Sequence, residues 1–195
     1  DLTFKLRLRN RDVFIEVYQY KYIGINGHEL PVYFLDTDCE ENFPDDQIIT
    51  LRLYSGDKDH RILQEAILGF GGMKLLDALG QESIKKYHMN EGHCSFLVLD
   101  LLEKYQGDEK KVKEQCHFTT HTPVPAGHDH FSYSRVEKLL KGLLPKGLKL
   151  PSLVQNGVFH MTELGLYFSN SANGVSELHG HVARNQFSWK DIGHI

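Results

Sequence analysis

Residues 116–131, which read CHFTTHTPVPAGHDHF, decide the fold expected for this chain. The stretch begins with apolar and β-branched residues, as a buried strand does, and ends in Pro, Gly, His and Asp, as a loop does. Upstream, residues 85–90 form a similar run that leads into Glu91 and His93. Ligands of open α/β sheets bind beyond the carboxyl ends of the strands. The two runs therefore predict a site for a polar, hydroxyl-rich ligand where their last residues meet.

The pattern along the whole chain predicts an α/β fold. Strand-like runs alternate with helical patterns, which indicates a mostly parallel sheet covered by helices. The runs lie near residues 31–36, 84–89, 116–121, 171–176 and 191–195.

The N-terminal part is expected to differ from the rest. Apolar and charged residues alternate along residues 4–9, as in antiparallel strands with one solvated face. Asn26-Gly27 lies between two apolar runs and predicts a type I′ hairpin turn. We expect a β-hairpin extension over residues 1–35 and a core over residues 36–195.

Three helices matter for the site. Apolar residues at helical spacing predict helices over about 60–79 and 92–105, with Asn90 near the cap of the second. Glycines in the GFGG string at 69–72 are expected to permit close packing, because the string lies inside a helical pattern rather than between a strand and a helix. Ser134 and Glu137 match a capping box that would begin the third helix.

Composition excludes several classes of protein. The net charge of −4 with mixed signs argues against a nucleic-acid-binding surface, and no run of 18 apolar residues predicts a membrane span. Three scattered cysteines fit a reducing compartment better than a disulfide framework. We expect a cytoplasmic protein with no signal peptide and no membrane or nucleic-acid partner.

Four motifs, in this order, resemble one family. VYFLDTD (32–38), YHMNEGHCSF (87–96), FTTHTPVPAGHDHF (118–131) and NGVSELHG (173–180) are similar to motifs of the α-glucan phosphorylases, the glycogen and maltodextrin phosphorylases, in their bacterial and archaeal branch. Four long motifs in order are a specific signal. The resemblance implies a Rossmann-like core belonging to the first lobe of a two-lobed, GT-B type glycosyltransferase.

The resemblance also implies a reaction. In this family, inorganic phosphate attacks the non-reducing end of an α-1,4-glucan (glycogen, starch or maltodextrin) and releases α-glucose 1-phosphate with retention. The lysine that holds pyridoxal phosphate lies in the second lobe, so the resemblance implies no cofactor on this chain. It implies an incomplete first lobe that is inactive alone, within a full-length enzyme that is a homo-oligomer. Exposed apolar surface and some self-association of the isolated lobe are expected.

Roles for individual residues follow from the resemblance as well. His121 is implied to lie at the catalytic glucose, where its main-chain carbonyl would favour an oxocarbenium-like charge. Asp57, within the loop 54–58, is implied to contact sugar. The remaining residues implied to bind substrate are Asn90, Glu91, His93, Thr120 and Thr122.

Other readings stay open. Taken without the family, His121 is a hydrogen-bonded histidine that ends a strand, and Glu91 complements a helix dipole. A stand-alone α-glucan-binding module without catalysis would use the same residues. A metal protein is suggested by the twelve histidines, but no carboxylate or thiolate set completes a coordination shell in the sequence, and we expect no metal.

Overall fold

The computed structural model describes residues 2–53, 56–145, 154–155 and 157–195. Its strands are β1 (Leu2–Leu8), β2 (Arg11–Ile23), β3 (Glu29–Asp36), β4 (Tyr87–Asn90), β5 (Cys116–Thr120), β6 (His130–Ser132), β7 (Val154–Gln155), β8 (Val158–His160), β9 (Ser171–Gly174) and β10 (Gly193–His194). Its α-helices are α1 (Pro44–Gln47), α2 (Lys58–Ala66), α3 (Gly72–Ala78), α4 (Leu97–Lys104), α5 (Glu109–Gln115), α6 (Tyr133–Leu140), α7 (Met161–Tyr167) and α8 (Glu177–Gln186).

A parallel sheet of four strands, in the order β10-β9-β5-β4, lies at the centre of the fold. The α/β class and the parallel sheet are therefore confirmed. The strand expected near residues 31–36 does not join it, because β3 pairs antiparallel with β2 in a separate three-stranded sheet. Strands β6, β8 and β7 form a third, small antiparallel sheet.

The two faces of the parallel sheet differ in polarity. On one face Met89 and Phe118 are fully buried, and α7 packs so closely there that a Cβ at Gly165 would lie 2.4 Å from the Phe118 ring. On the other face His88 donates to or accepts from Thr119 at 2.7 Å. His117, Ser171 and Asn173 belong to the same polar network.

The type I′ turn occurs at a different hairpin from the predicted one. Leu8 pairs with Arg11, and the two residues between them, Arg9 and Asn10, have φ of 51° and 62°. Positive φ at both central residues is what a type I′ turn requires. The hairpin predicted at Asn26-Gly27 is confirmed, since β2 pairs antiparallel with β3, but its turn is not type I′: the strands are joined by five residues, 24–28, and of that pair Gly27 alone has positive φ.

The long helix is confirmed, with one irregularity. A π-helical turn, Ile67–Gly71, joins α2 to α3, so the helix runs on from residue 58 to residue 78. Gly69 lies within this turn, and a Cβ there would meet Leu97 N at 2.9 Å and Phe96 Cβ at 2.8 Å. The prediction that these glycines permit close packing holds at Gly69; at Gly72 a Cβ would meet open space.

Two helix starts were predicted wrongly. The helix expected over 92–105 begins at Leu97, after a 3₁₀ turn at Gly92–Cys94, so Asn90 ends β4 and does not cap a helix. The cap of α6 is Ser132, whose Oγ accepts from Arg135 N at 3.3 Å, and Ser134 lies inside the helix.

Cys39, Cys94 and Cys116 are free thiols, and burial raises the pKa of Cys94 and of Cys116 to about 12. These thiols are therefore neutral at physiological pH. Within the described residues, no helix has the length and apolar character needed to cross a membrane.

Candidate functional site

Glu91 ties the two main segments of the site together. It follows β4, is only 3% exposed, and lies beside the residues that follow β5. Its Oε2 accepts hydrogen bonds from Thr120 Oγ1 (3.2 Å) and from the backbone N–H groups of His121 and Thr122 (3.0 Å each). One carboxylate oxygen therefore fixes the backbone at the carboxyl end of β5.

The backbone of Glu91 is strained. Its φ is 68° and its ψ 179°, a region that residues other than glycine rarely adopt. The next residue, Gly92, leaves no room for a side chain, because a Cβ would lie 2.9 Å from Thr162 N at the start of α7. Such strain persists only where the surroundings over-determine it, and it is common at functional sites. Here the carboxylate network on one side and α7 on the other supply that constraint.

His121 is held by its backbone rather than by its ring. Its N–H donates to Glu91, whereas its side chain is 45% exposed and its Nδ1 lies 3.9 Å from Glu91 Oε2. Thr120 on one side is fully buried. The imidazole is therefore accessible to solvent while the main chain is fixed.

A second polar cluster, the Arg61 cluster, consists of Arg61, Glu65, His93 and Asp129. Arg61 Nη2 lies 2.7 Å from Asp129 Oδ2, 3.1 Å from Glu65 Oε1 and 3.4 Å from His93 Nδ1. Helix α2 contributes Arg61 and Glu65, the 3₁₀ turn after Glu91 contributes His93, and the loop after β5 contributes Asp129. The cluster therefore joins three segments that are distant in sequence.

The two carboxyl groups of the Arg61 cluster have opposite pKa shifts. Burial, and then the charge of Asp129, raises the pKa of Glu65 well above its ordinary value. Burial opposes ionisation of Asp129 as well, but hydrogen bonds from His93, Arg61 and Glu65 outweigh it and lower the pKa of Asp129. Two carboxylates this close do not both ionise easily. The surroundings therefore disfavour ionisation of Glu65 and favour ionisation of Asp129.

Several known proteins that resemble this chain are named as phosphorylases. The chain is 36% identical to a maltodextrin phosphorylase of Thermococcus litoralis over 98% of its own length and 23% of the relative. It is 36% identical to a glycogen phosphorylase of Mycobacterium tuberculosis over 82% of its length and 21% of the relative. The chain is a relative of the α-glucan phosphorylases.

The resemblance drawn from the four motifs is thus confirmed. A glycogen phosphorylase of Aquifex aeolicus is a third phosphorylase of this kind, 30% identical over 93% of the chain and 28% of the relative. No family model matches the chain. The chain spans between about a fifth and three-tenths of the length of these curated phosphorylases.

The structure brings some of the residues predicted from the phosphorylase motifs together. Glu91, Thr120, His121 and Thr122 form one hydrogen-bonded network. His93, two residues along the chain from Glu91, joins the Arg61 cluster instead.

Two predicted residues lie apart from that network. Asn90 is exposed at the end of β4. Asp57 caps α2: its Oδ1 accepts from Asp59 N and His60 N at 3.0 Å each, and these bonds, that from His60 first, lower its pKa. Of its predicted loop, Tyr54 and Ser55 lie outside the described residues. Whether any of these side chains binds sugar stays a prediction.

Sequence reasoning missed Arg61, Glu65 and Asp129. Arg61 and Glu65 are four residues apart on one helix, which is the spacing of a helical ion pair, and their side chains are largely buried. Charged residues are seldom buried unless paired, so a buried pair of this kind often belongs to a site. Asp129 lies within residues 116–131, but no role was predicted for it.

The Arg61 cluster also corrects the reading of metal chemistry. Single ligand atoms of Glu65, His93 and Asp129 lie within 4.8 Å of one another, so the structure assembles the imidazole and carboxylate set that the sequence did not suggest. Arg61 is within hydrogen-bond distance of all three, however. The guanidinium supplies the positive charge that a cation would bring to this place.

Cavities lie on either side of the Arg61 cluster. Arg61, Glu65 and His93 line a cavity of about 440 Å³ whose other walls are largely apolar. Asp129 lines a second cavity of about 360 Å³, together with His128 and five other polar residues. Cavities with a few polar groups on mostly apolar walls are where small ligands usually bind.

Proposed function

We propose that this chain forms one wall of the sugar cleft of an α-glucan phosphorylase. In the proposal, the enzyme releases α-glucose 1-phosphate from the non-reducing ends of α-1,4-glucans such as glycogen, starch or maltodextrin, using inorganic phosphate. The carrying observation is the Glu91 network, which holds the backbone of residues 120–122 at the carboxyl end of a parallel strand. That is where α/β folds bind ligands.

In this proposal the main chain of His121 acts on the sugar. Fixed dipoles aimed at a developing charge accelerate a reaction because they need not reorganise. Glu91 has the role of a positioning residue, since its Oε2 is already taken by three donors from the loop. Its Oε1 is buried and has no hydrogen-bond partner among the described residues.

The Arg61 cluster would define the polar end of the adjoining cavity. In this proposal His93, which lies beside the ion pair of Asp129 and Arg61, forms hydrogen bonds to sugar hydroxyls. His93 is about a quarter exposed, so it is reachable from the cavity that it lines. Asn90, Asp57, Thr120 and Thr122 keep their proposed roles in binding substrate.

Neither Lys190 nor Lys104 is placed to hold pyridoxal phosphate. Burial lowers the pKa of Lys190, and its Nζ donates to the carbonyl of Ser169. Lys104 lines a cleft together with four carboxylates, which would repel the phosphate of the cofactor. If the enzyme uses this cofactor, as the family does, residues beyond those described here hold it. This chain then contributes positioning and electrostatics.

The proposal also concerns the lobe to which this chain belongs, the cellular compartment and the oligomeric state of the enzyme. It places this chain in the Rossmann-like first lobe of a GT-B glycosyltransferase, in a cytoplasmic homo-oligomer, and it predicts that the 195 residues alone have no turnover. The test begins with intact-mass spectrometry of the natural gene product. A mass several times 22.4 kDa is expected. A mass near 22.4 kDa, with saturable binding of maltopentaose, would instead favour a glucan-binding module without catalysis.

Activity of the natural product then tests the role of Glu91. Release of α-glucose 1-phosphate from maltoheptaose and phosphate is measured for the natural protein and for Glu91→Gln, which weakens the anchor while keeping its shape. We expect kcat to fall by about 100-fold, as when a preorganised dipole is displaced. Glu114→Gln, on the exposed side of α5, is the matched control and should retain full activity. Equal activity of the Glu91 variant and the control would contradict the proposal.

A further inference from the structure

Two histidines face each other across the small antiparallel sheet. Strand β6 pairs with β8 in a register that places His130 directly opposite His160. Their imidazole rings are stacked, with centroids 5.8 Å apart and an angle of 26° between the ring planes. The two residues are distant in the sequence, so no local spacing indicates that they meet. The fold therefore creates a histidine pair that belongs neither to the Glu91 network nor to the Arg61 cluster.

Ring nitrogens of this pair are available to a ligand. Nδ1 of His130 lies 3.0 Å from the backbone carbonyl of His128. A carbonyl oxygen only accepts hydrogen bonds, so Nδ1 carries the proton and Nε2 is left with a lone pair. A histidine that binds a metal ion commonly donates its other ring N–H in this way. Within the described part of the chain, no group is hydrogen-bonded to the ring of His160.

A carboxylate lies beside the histidine pair. Glu163 is in the first turn of α7, three residues after His160, which caps that helix. Both histidines and Glu163 line the same cavity, of about 360 Å³. Among the residues that the structure describes, none forms a hydrogen bond or an ion pair with the carboxylate of Glu163. Two imidazoles and one carboxylate thus border a single cavity.

The other polar groups of this cavity are already engaged. Thr162 and Gln186 lie 3.0 Å and 3.2 Å from the two ring nitrogens of His128. Asp129 is paired with Arg61 at 2.7 Å. None of the described residues that line the cavity is a lysine or an arginine. The positive charge that a guanidinium supplies in the Arg61 cluster would have to come from a bound cation here.

A pair of adjacent histidine rings on the parallel sheet, His88 and His117, is different in this respect. The two ring nitrogens of His117 lie 2.7 Å from Ser171 Oγ and 2.6 Å from Asn173 Oδ1. Nε2 of His88 lies 2.7 Å from Thr119 Oγ1. Because protein groups already occupy these nitrogens, proximity of the rings alone does not make that pair a site for a ligand.

We propose that His130, His160 and Glu163 bind one Zn²⁺ ion, with water completing the coordination. Imidazole nitrogen and carboxylate oxygen are donors that suit Zn²⁺, whereas Mg²⁺ and Ca²⁺ prefer oxygen alone. Among the described residues, the set with three donors within 4.8 Å is that of the Arg61 cluster, so these three side chains must turn to reach the ion. Directly opposed residues on antiparallel strands have Cβ atoms about 4.5–5.5 Å apart, which allows both rings to bind one ion without movement of the strands. The ion would join β6 to the start of α7.

Isothermal titration calorimetry with zinc chloride tests the site. The natural protein, without a histidine tag and freed of metal by EDTA, should bind Zn²⁺ at this site with a micromolar Kd, and should not bind Mg²⁺ there. His130→Gln and His160→Gln should each weaken binding by about 10-fold or more, because each removes a ligand of the ion. His28→Gln changes an exposed histidine in the connection between β2 and β3 and is the matched control.

Two further variants decide where the ion is bound. Glu163→Gln should weaken Zn²⁺ binding, whereas His93→Gln, in the Arg61 cluster, should leave it unchanged. His130 is exposed, so His130→Gln stays informative even if circular dichroism shows that His160→Gln does not fold. The proposal would be overturned by a natural protein that binds no Zn²⁺, by binding that is lost with His93→Gln instead, or by an equal loss for His28→Gln.

Discussion

Glu65 and Glu91 are both buried glutamates near the carboxyl ends of the parallel strands, yet they are stabilised in different ways. Glu91 receives three donors on one oxygen, two of them backbone N–H groups. Glu65 shares Arg61 with a second carboxylate, Asp129, and its pKa is raised by burial and then by the charge of Asp129. Backbone donors that converge on one atom fix a loop, whereas burial beside a second carboxylate makes ionisation of Glu65 unfavourable.

The sharpest test of this contrast is Glu91→Ala. It would leave the Thr120 hydroxyl and the N–H groups of His121 and Thr122 without their acceptor, and each buried donor without a partner costs about 1–3 kcal/mol. We expect the free energy of unfolding, measured in urea, to fall by about 3 kcal/mol or more. Glu91→Gln retains an acceptor oxygen and should lose clearly less. A change of under about 0.5 kcal/mol for Glu91→Ala would show that the loop does not depend on this anchor.

A smaller loss is expected for Arg61→Ala. The substitution leaves Glu65 and Asp129 facing each other without the guanidinium, and removing one member of a buried charged pair is destabilising. Because Arg61 and Asp129 are 15% and 28% exposed, we expect about 2 kcal/mol rather than the full value for a buried pair. Arg135→Ala breaks a half-exposed ion pair with Asp59 and is the matched control. If thermal unfolding shows equal losses for both, the cluster has no special stability.

The smallest effect, and the most specific, concerns the pH dependence of Glu65→Gln. A carboxyl group with a raised pKa in the folded state lowers stability as pH rises from its unfolded value, about 4.3, through its folded value. Glutamine cannot lose a proton, so the variant should escape this loss. Unfolding in urea should show Glu65→Gln more stable than the natural chain at pH 8, by about 1 kcal/mol, and not at pH 4.

The same pH series has an internal check in Asp129. Its pKa is lowered in the folded state, so it contributes stability above its unfolded value of about 3.9 that disappears as pH falls. Asp129→Asn should therefore lose stability at pH 7 and converge with the natural chain in acid. A pH profile of Glu65→Gln parallel to that of the natural chain would show that Glu65 is not the proton carrier.

Local pattern predicted the framework well. The buried stripes of the helices and the strand-to-loop runs at residues 85–91 and 116–131 depend on periodicity, which is written in the sequence. The start of α4 does not depend on periodicity alone. The positive φ of Glu91 delays the helix, and the carboxylate of Glu91 is held by residues about thirty positions away. Likewise, the type I′ turn at Arg9-Asn10 follows from strand pairing, while Asn26-Gly27 correctly predicted a hairpin but not its longer, five-residue connection.

The site was predictable only in part. One motif supplied Thr120, His121 and Thr122, and the other supplied Glu91, so the first network follows from two local runs. The Arg61 cluster forms where α2, the turn at His93 and the loop at Asp129 contact one another in the folded chain. No local sequence pattern predicts those contacts. The family resemblance pointed to His93 but not to the arginine that it accompanies.

The π-helical turn between α2 and α3 adds a residue to the helix that carries Arg61 and Glu65. A turn of this type holds one residue more than a regular α-helix. Deleting the exposed Leu68 would restore regular helix. Residues 58–66 would keep about the same rotation relative to α3, because the wider π turn had absorbed the extra residue. Arg61 and Glu65 would still face His93 and Asp129, so a deletion of three nucleotides at this point in the gene should leave the four side chains of the cluster together.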